Sequence, residues 1–260
     1  MGVRLSYLSP HGREWRLIGP EHDGVWVVDG GITGLVGSGE DSASTLPGVP
    51  GHRVEAVEVP PVDGALTVRA GDGAGGVPET FSRFRSDWSF RVPGRLVLSG
   101  DDGAGPVWAR ARLAGPIAAP AHHPAELRGL VFEVPVRLDD GLWWETISSD
   151  TDSVTVTNTG DVFVRPRVEW NGPGGRLIMP SGAAVTLPAV DSPRVLVLDN
   201  SRSNVVRDPD GTVDTGLWPS MVADLLPEGV PPGEARTYWI PGGATLHWDI
   251  GHLDPWGVTW

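Results

Sequence analysis

Short runs of alternating side chains, separated by turn residues, are the feature that most constrains how this chain folds. The clearest example is residues 154–172, where two alternating runs flank a break at residues 158–161 and an Asn-Gly pair closes the segment. Alternation sends successive side chains to opposite faces of a strand, and Asn, Gly and Asp tolerate the backbone angles of turns. The segment therefore predicts two strands, with Asn158, Gly160 and Asp161 shaping the turn between them.

The same pattern recurs along the chain and predicts many short strands. In the first half the predicted strands are residues 25–28, 53–59, 65–69, 96–99, 107–113 and 130–138. In the second half they are residues 154–157, 164–170, 176–179, 184–187, 194–199, 236–240 and 244–250. Seven or more short strands at regular spacing indicate an antiparallel sandwich. The 36 Gly and 25 Pro residues supply turns, and the twelve Trp residues argue for a packed core.

Helical periodicity is restricted to short segments. Residues 80–89 predict one short helix, because Phe81, Phe84 and Trp88 fall at i, i+3 and i+7 with charged residues between them. Residues 221–226 predict one further helical turn. The chain is therefore expected to be mainly β with few short helices.

Two segments of the first half have the composition of loops. Residues 35–51 are rich in Gly, Ser and Pro and have little to bury, so they predict a loop that moves or docks on a neighbour. Residues 60–64 read Pro-Pro-Val-Asp-Gly and predict a turn between the strands on either side.

Composition and charge exclude several classes of function. The chain has no Cys, which rules out disulfides and thiolate metal sites. Its net charge of −13 argues against nucleic-acid binding, which depends on cationic contacts to phosphate. No run of eighteen apolar residues predicts a membrane-inserted segment, and the N-terminus lacks the apolar core of a signal peptide. The sequence therefore predicts a soluble protein made in the cytosol.

Two groups of His and Asp residues could bind a metal: His122 with His123, and His247 with Asp249, His252 and Asp254. Adjacent residues on an extended chain point to opposite sides, so a surface loop explains the first pair better. In the second group His247 and Asp249 share one strand face, but polar residues at a strand end between core Trp residues are commoner than a metal site. We therefore predict no metal.

The remaining acidic residues do not indicate a metal-binding or catalytic site. Residues 208–214 resemble a calcium loop in composition but lack the ligand spacing and the late Glu of an EF-hand, so a hairpin turn explains them better. With 33 Asp and Glu residues the chain offers many carboxylate pairs and singles out none for glycosidase chemistry. A nucleophile elbow for Ser-His-Asp catalysis is also missing. The sequence predicts no catalytic residues, no cofactor and no enzyme.

The Trp residues of the second half have three possible roles. Trp170, Trp239 and Trp248 lie on predicted strands and are expected in the core, whereas the adjacent Trp143 and Trp144 must place one ring on each face of a strand. An exposed Trp would suggest sugar stacking, and aromatic anchors serve protein interfaces equally well. Core or interface is the favoured interpretation.

The order of these segments resembles the distal tail protein family of long-tailed bacteriophages. Residues 130–260 carry most of the resemblance, and the first half carries it loosely through the Leu-Pro-Gly-x-Pro-Gly-x-Arg segment at 46–53 and the strands that follow. The features in the second half are Trp143-Trp144 after an Asp-Asp-Gly turn, residues 156–161, Pro166 within the next strand, residues 195–200, and a late Leu-Leu-Pro with Pro-Gly before the final strands. Residues 201–216 would be the family's variable hairpin.

The resemblance implies a fold and a role. It implies a β-barrel-like domain at residues 1–140 that closes into a hexameric ring, and an antiparallel galectin-like β-sandwich at residues 141–260. Such a homohexamer would join the tail tube protein to the tail-tip hub protein, near the tape-measure protein, as a structural protein of the virion tail tip made in the host cytoplasm. The alternative is a carbohydrate-binding β-sandwich module that recognises a host cell-wall glycan.

A ring needs one surface of each subunit to fit a different surface of the next. The charged residues expected to pair across that contact are Arg69, Arg83, Arg85 and Arg91 with Glu55, Glu58 or Glu79. Surface ion pairs set register more than stability, so they would align the subunits rather than hold them. The loop at residues 35–51 is expected to dock on the tail tube or on a neighbouring subunit.

Overall fold

The computed structural model describes residues 2–44, 53–71, 76–100, 105–199, 205–221 and 228–258. In those ranges it contains eighteen β-strands, two α-helices and one 3-10 helix, and it confirms the prediction of a mainly β protein. No helix in those ranges has the length and apolar character needed to cross a membrane.

The chain folds into two compact units with different bounds from the domains expected at residues 1–140 and 141–260. Unit 1 comprises Met1–Trp144 together with His252–Trp260, and unit 2 comprises Glu145–Gly251. The chain therefore returns to unit 1 at its end, where the N–H of Gly37 donates to the carbonyl of Leu253 at 2.7 Å. Local sequence patterns do not anticipate this return, because the contact joins segments more than 200 residues apart.

Unit 1 contains one antiparallel sheet, a separate hairpin and a short helix. Its elements are β1 (Val3–Leu8), β2 (Glu14–Ile18), β3 (Val25–Thr33), β4 (Glu40–Ser44), β5 (Arg53–Glu58), β6 (Val62–Ala70), α1 (Gly76–Ser86), β7 (Gly94–Gly100), β8 (Val107–Leu113), the 3-10 helix (Pro124–Glu126) and β9 (Leu130–Leu138). Seven of these strands are hydrogen-bonded in the order β3-β6-β9-β8-β7-β1-β2. The end strands β2 and β3 contact each other, but they are not paired by hydrogen bonds, so in the described ranges the sheet does not form a closed barrel.

The core of unit 1 follows from alternation in the strands and from the apolar face of α1. In β8 every second residue is buried, from Val107 to Leu113. Phe81 and Phe84 of α1 are buried as the helical spacing predicts, and burial of each such ring stabilises the fold by about 1.5–3 kcal/mol. Trp88 lies just beyond the helix and stacks on Tyr7, with ring centroids 3.8 Å apart.

Two predictions for the loops of unit 1 were wrong. The predicted loop at residues 35–51 contains β4, which pairs with β5 in a hairpin of its own; residues 45–51 lie outside the described ranges. The predicted turn at residues 60–64 ends early, because Val62 already begins β6. Gly64 pairs with Val136 of β9, and a Cβ on Gly64 would lie 2.5 Å from the carbonyl oxygen of Thr33. Close approach of two strands, rather than a turn, requires glycine there.

Unit 2 is a sandwich of two antiparallel sheets. Its strands are the later part of β10 (Trp143–Ser149), β11 (Ser153–Thr157), β12 (Arg167–Gly172), β13 (Gly175–Ile178), β14 (Ala184–Leu187), β15 (Val190–Val197), β16 (Val206–Arg207), β17 (Ala235–Trp239) and β18 (Ala244–His252), with a short helix α2 (Trp218–Met221). One sheet has the order β16-β15-β12-β18-β10 and the other β11-β17-β13-β14. Apolar residues of both sheets form one buried core, which confirms the predicted sandwich. Residues 201–204 of the predicted hairpin and 222–226 of the predicted helical turn lie outside the described ranges.

The turn at residues 158–161 has the shape that the sequence predicts. Asn158 is 1% exposed, and its Nδ2 donates to the carbonyls of Val162 and Val230, both at 2.8 Å. Its Oδ1 accepts from the N–H of Gly160 at 3.0 Å. A Cβ on Gly160 would lie 2.5 Å from the carbonyl oxygen of Gly251, so this position needs glycine. The turn is a buried scaffold within unit 2.

Candidate functional site

The first predicted histidine pair belongs to a surface loop. His122 and His123 are both exposed. The Nδ1 of His123 accepts from the N–H of Ala125 at 3.2 Å and so caps the 3-10 helix. The side chain of His123 therefore orders the local backbone, which agrees with the loop interpretation.

The second group is engaged in ion pairs and turns. His247 lies 3.5 Å from Glu169, and Asp249 accepts from Arg167 at 2.5 Å and from Thr146 at 2.7 Å. His252 is buried, while Asp254 accepts from the N–H of Trp256 at 2.9 Å. Within the part of the chain that the structure describes, no group of three or more His, Cys, Asp and Glu side chains is placed to hold a metal ion.

The acidic segment at residues 208–214 forms a hairpin turn whose two ends both contact Arg194. The N–H of Asp208 donates to the carbonyl of Thr212 at 2.8 Å, which closes the turn. Arg194 contacts both ends of the segment, with Nη1 3.0 Å from Asp208 and Nε 2.9 Å from Asp214. The N–H of Leu217, and then Arg194, lower the pKa of Asp214. Its carboxylate therefore helps to hold the hairpin in place.

The Trp residues divide between core and surface, and one prediction among them was wrong. Trp170 and Trp248 are buried as expected. Trp143 is buried with its Nε1 donating to the carbonyl of Leu35 at 2.8 Å, whereas Trp144 is only partly buried. Trp239, expected in the core, is 43% exposed. Its neighbour Tyr238 is fully buried, and alternation along β17 then turns residue 239 outward.

Three of the four arginines proposed for contacts between subunits have partners within their own unit. Arg83 pairs with Glu79 one turn earlier in α1. The guanidinium of Arg69 lies 5.8 Å from the ring centroid of Trp26. The guanidinium of Arg85 lies 5.8 Å from the ring centroid of Phe81. The side chain of Glu55 lies outside the described part. These contacts do not favour a role for the three arginines across an interface, and Arg91 stays a candidate.

An ordered row of ion pairs covers part of the unit 1 sheet. We call it the arginine ladder; its members are Arg110, Arg112 and Arg137 with Asp140, Asp139 and Asp63, respectively. Arg137 donates from Nε to Oδ1 of Asp63 and from Nη2 to Oδ2, each at 2.6 Å. This hydrogen bonding lowers the pKa of Asp63. Each exposed pair contributes about 0–1 kcal/mol, so the ladder gives this face a defined charge pattern rather than much stability.

A group of three exposed apolar side chains lies on neighbouring segments at one end of the same sheet. We call it the Phe90 patch: Leu8 is 37% exposed, Phe90 51% and Val92 56%. β1 ends at Leu8, which is opposite Arg95 at the start of β7, so the segment before β7 lies beside it. The hydroxyl oxygen of Ser89 accepts from the N–H of Arg91 at 3.1 Å and of Val92 at 3.0 Å. These bonds hold the segment in place and present its apolar side chains to solvent.

A groove lies beside the exposed Trp239 in unit 2. We call it the Trp239 groove; its volume is about 530 Å³, and it is lined by Pro180, Ser181, Glu228, Ala235, Arg236, Thr237 and Trp239. Sequence reasoning missed both this groove and the Phe90 patch. A Phe within the polar segment Ser89-Phe90-Arg91 was the available signal for the patch.

The fold of the whole chain has relatives among solved structures. No protein-family model and no curated protein matches the sequence. The crystal structure of the Dit protein of phage SPP1, described as a paradigm of the hub adsorption apparatus in phages that infect Gram-positive hosts, matches with a TM-score of 0.53 and 12% identity. That match covers 96% of this chain and 99% of the SPP1 chain. The chain has the Dit fold.

Two further matches come from the baseplate of phage P2 in its activated conformation. The structure with Ca matches with a TM-score of 0.55 and 9% identity over 96% of this chain and 98% of that chain. The structure with Sr matches with a TM-score of 0.54 and 9% identity over 95% of this chain and 97% of that chain. The predicted resemblance to phage distal tail proteins is therefore confirmed for the fold, and the Dit fold here includes both units.

Proposed function

We propose that this protein is a structural component of the phage tail tip or baseplate and is located in the virion. The observation that carries the proposal is the match to SPP1 Dit over nearly the full length of both chains. A match that includes both units is more specific than one sandwich alone, because β-sandwiches serve many functions.

The role that fits best is mechanical rather than enzymatic. The polar side chains considered for catalysis or metal binding are engaged in ion pairs, hairpin turns and helix caps. The described surface offers instead the Phe90 patch, the arginine ladder and the Trp239 groove. These features suit contacts with other proteins or with an extended ligand.

In detail, the protein forms a homo-oligomeric ring, a hexamer if it follows the distal tail proteins it resembles. The ring joins the tail tube protein to the tail-tip hub protein, near the tape-measure protein. The Phe90 patch is the best candidate for the contact between subunits, since aromatic residues and arginine are enriched at such interfaces. Arg91, exposed between Phe90 and Val92, would border that contact.

The mass of the purified protein tests this proposal. We expect native mass spectrometry and light scattering to show a closed oligomer, alone or after addition of the tail tube protein. Phe90→Asp should shift the distribution toward monomer by at least about tenfold, because it buries an unpaired charge at the contact.

Phe163→Asp is the matched control, since Phe163 is also 51% exposed but lies in unit 2. It should leave the oligomer unchanged. A protein that stays monomeric at high concentration and also fails to join the tail tube protein would contradict the proposed function. Equal effects of the two variants would exclude the Phe90 patch as the contact between subunits but would not contradict the proposed function.

A further inference from the structure

Trp239 is an exposed aromatic residue at the end of β17, an inner strand of its sheet. It lies on β17 between Tyr238, which is fully buried, and Ile240, which is 4% exposed. Its partners across the sheet are Ser153 on β11 and Ile178 on β13. The outer face of this sheet therefore carries one large indole among smaller side chains, and an exposed large apolar group of this kind commonly marks a binding site.

The polar groups beside the indole are held in fixed positions. Both oxygens of the Glu228 carboxylate accept from Ser181, one from its hydroxyl and the other from its N–H at 2.9 Å. The backbone carbonyl of Glu228 accepts from the hydroxyl of Tyr238 at 2.6 Å. Burial, and then the charge of Glu228, raise the pKa of Tyr238, so its hydroxyl keeps its proton at neutral pH. Tyr238 of the core thereby anchors the backbone of Glu228, and Ser181 positions the carboxylate.

Arg236 is the remaining charged residue that lines the groove. Arg236 Nη1 donates to the carbonyl of Gly229 at 2.8 Å, and Nη2 lies 3.0 Å from Glu234. Its charge is therefore largely compensated by a carboxylate of the same hairpin. The Trp239 groove thus combines one exposed ring, one fixed carboxylate, the hydroxyls of Ser181 and Thr237, and a guanidinium paired with a carboxylate. Fixed polar groups around an apolar surface are typical of small-molecule sites, because little order is lost on binding.

We propose that the Trp239 groove binds a neutral hexopyranose unit of a surface glycan. One face of such a sugar consists mainly of C–H groups, which pack on an indole ring, while its hydroxyls form hydrogen bonds with Glu228, Ser181 and Arg236. The volume of about 530 Å³ accommodates one or two sugar rings. The net charge of −13 and the pairing of Arg236 with Glu234 disfavour a phosphate-rich polymer or a nucleic acid.

The proposal does not depend on ring formation, because every group in the groove belongs to unit 2 of one chain. An open site with a single stacking ring binds weakly, and we expect a Kd on the order of 1 mM for one sugar unit. Several copies in a ring would raise the avidity for a repetitive glycan.

NMR of the full-length protein labelled with fluorinated tryptophan tests the site directly. The Trp239→Phe variant assigns the Trp239 signal, and the probes are glucose, galactose, N-acetylglucosamine and rhamnose. We expect at least one sugar to move the Trp239 signal with saturation, while the other Trp signals stay in place. Glu228→Gln should weaken binding by about tenfold, which corresponds to the loss of one charge-assisted hydrogen bond.

Trp239→Ala should abolish binding, and Trp239→Phe should weaken it by a few fold because a smaller ring remains. Trp256→Ala is the matched control, since Trp256 is 41% exposed and belongs to unit 1. Unchanged thermal unfolding of each variant shows that folding is intact. No shift at Trp239 with any of the four sugars on the order of 100 mM would overturn the proposal. Loss of association with the tail tube protein in Trp239→Ala, without sugar binding in the parent, would also overturn it and identify a protein interface.

Discussion

Replacing Asn158 by Ala tests whether the buried turn of unit 2 is held by its side chain. Three hydrogen bonds disappear: two from Nδ2 to the carbonyls of Val162 and Val230, and one from the N–H of Gly160 to Oδ1. The Val230 carbonyl still accepts from the N–H of Val164 at 3.0 Å, so it keeps a partner. Each lost bond costs about 1 kcal/mol, and a buried group left without its partner costs about 1–3 kcal/mol. We expect a loss of about 3 kcal/mol in the free energy of unfolding.

The assay is urea unfolding followed by Trp fluorescence, with each unit treated as its own transition if two are seen. Thr155→Ala is the control, because it removes one exposed bond between the hydroxyls of Thr155 and Thr237 and should cost about 0.5 kcal/mol or less. If the free energy of unfolding of Asn158→Ala lies within about 1 kcal/mol of the parent value, and its dependence on urea concentration is unchanged, the side chain of Asn158 does not hold the turn.

The isosteric change Asn158→Asp adds a pH test. An ionised carboxylate would direct an oxygen at two carbonyl oxygens in a site that is 1% exposed, so burial raises the pKa of the introduced Asp above its ordinary value. A raised carboxyl pKa destabilises the folded state as the pH rises past the ordinary value. The deficit of this variant should therefore be largest at neutral pH and shrink toward pH 4, whereas that of Asn158→Ala should vary little over this range.

Two further predictions concern unit 1. Arg137 hydrogen-bonds Asp63 and lowers the pKa of that carboxyl. The stabilisation by this ion pair is therefore present above the ordinary carboxyl pKa of 3.8 and is lost as the pH falls through the lower pKa of the folded state. The destabilisation caused by Arg137→Leu in urea unfolding should thus be present at neutral pH and fade below about pH 4; a constant difference would exclude the ion pair as its cause. Asp87, which is 5% exposed, accepts from Trp15 Nε1 at 2.7 Å and from Arg13 at 3.0 Å, so Asp87→Ala should cost about 2–4 kcal/mol in the same assay, and a cost below about 1 kcal/mol would contradict this.

Local patterns predicted most strands and the faces that they bury. The predicted strands at residues 107–113, 130–138 and 184–187 coincide with β8, β9 and β14. Alternation succeeds here because one face of each strand meets a core, so the period of two is visible in the sequence. The short helix was also predictable, since Phe81 and Phe84 repeat at helical spacing.

Local sequence patterns could not predict the pairing between distant strands. The β4–β5 hairpin contains Glu, Asp and Ser at positions that resemble a loop, and the turn expected before β6 belongs to the strand because Val62–Ala70 pairs with β9. The return of the last residues to unit 1 depends likewise on a contact between distant segments. Such contacts carry no periodic signal, because their partners are separated by many residues.

The order and spacing of neighbouring residues were enough to predict the mainly β class, the sandwich of unit 2, the turn at Asn158 and the resemblance to distal tail proteins. Which aromatic residues face solvent depends instead on how the strands pair and pack. Tyr238 and Trp239 are adjacent and both aromatic, and the pairing of β17 with its neighbours directs one ring into the core and the other out. The Phe90 patch was equally hidden, because its residues come from two segments about eighty positions apart that meet only when β1 pairs with β7.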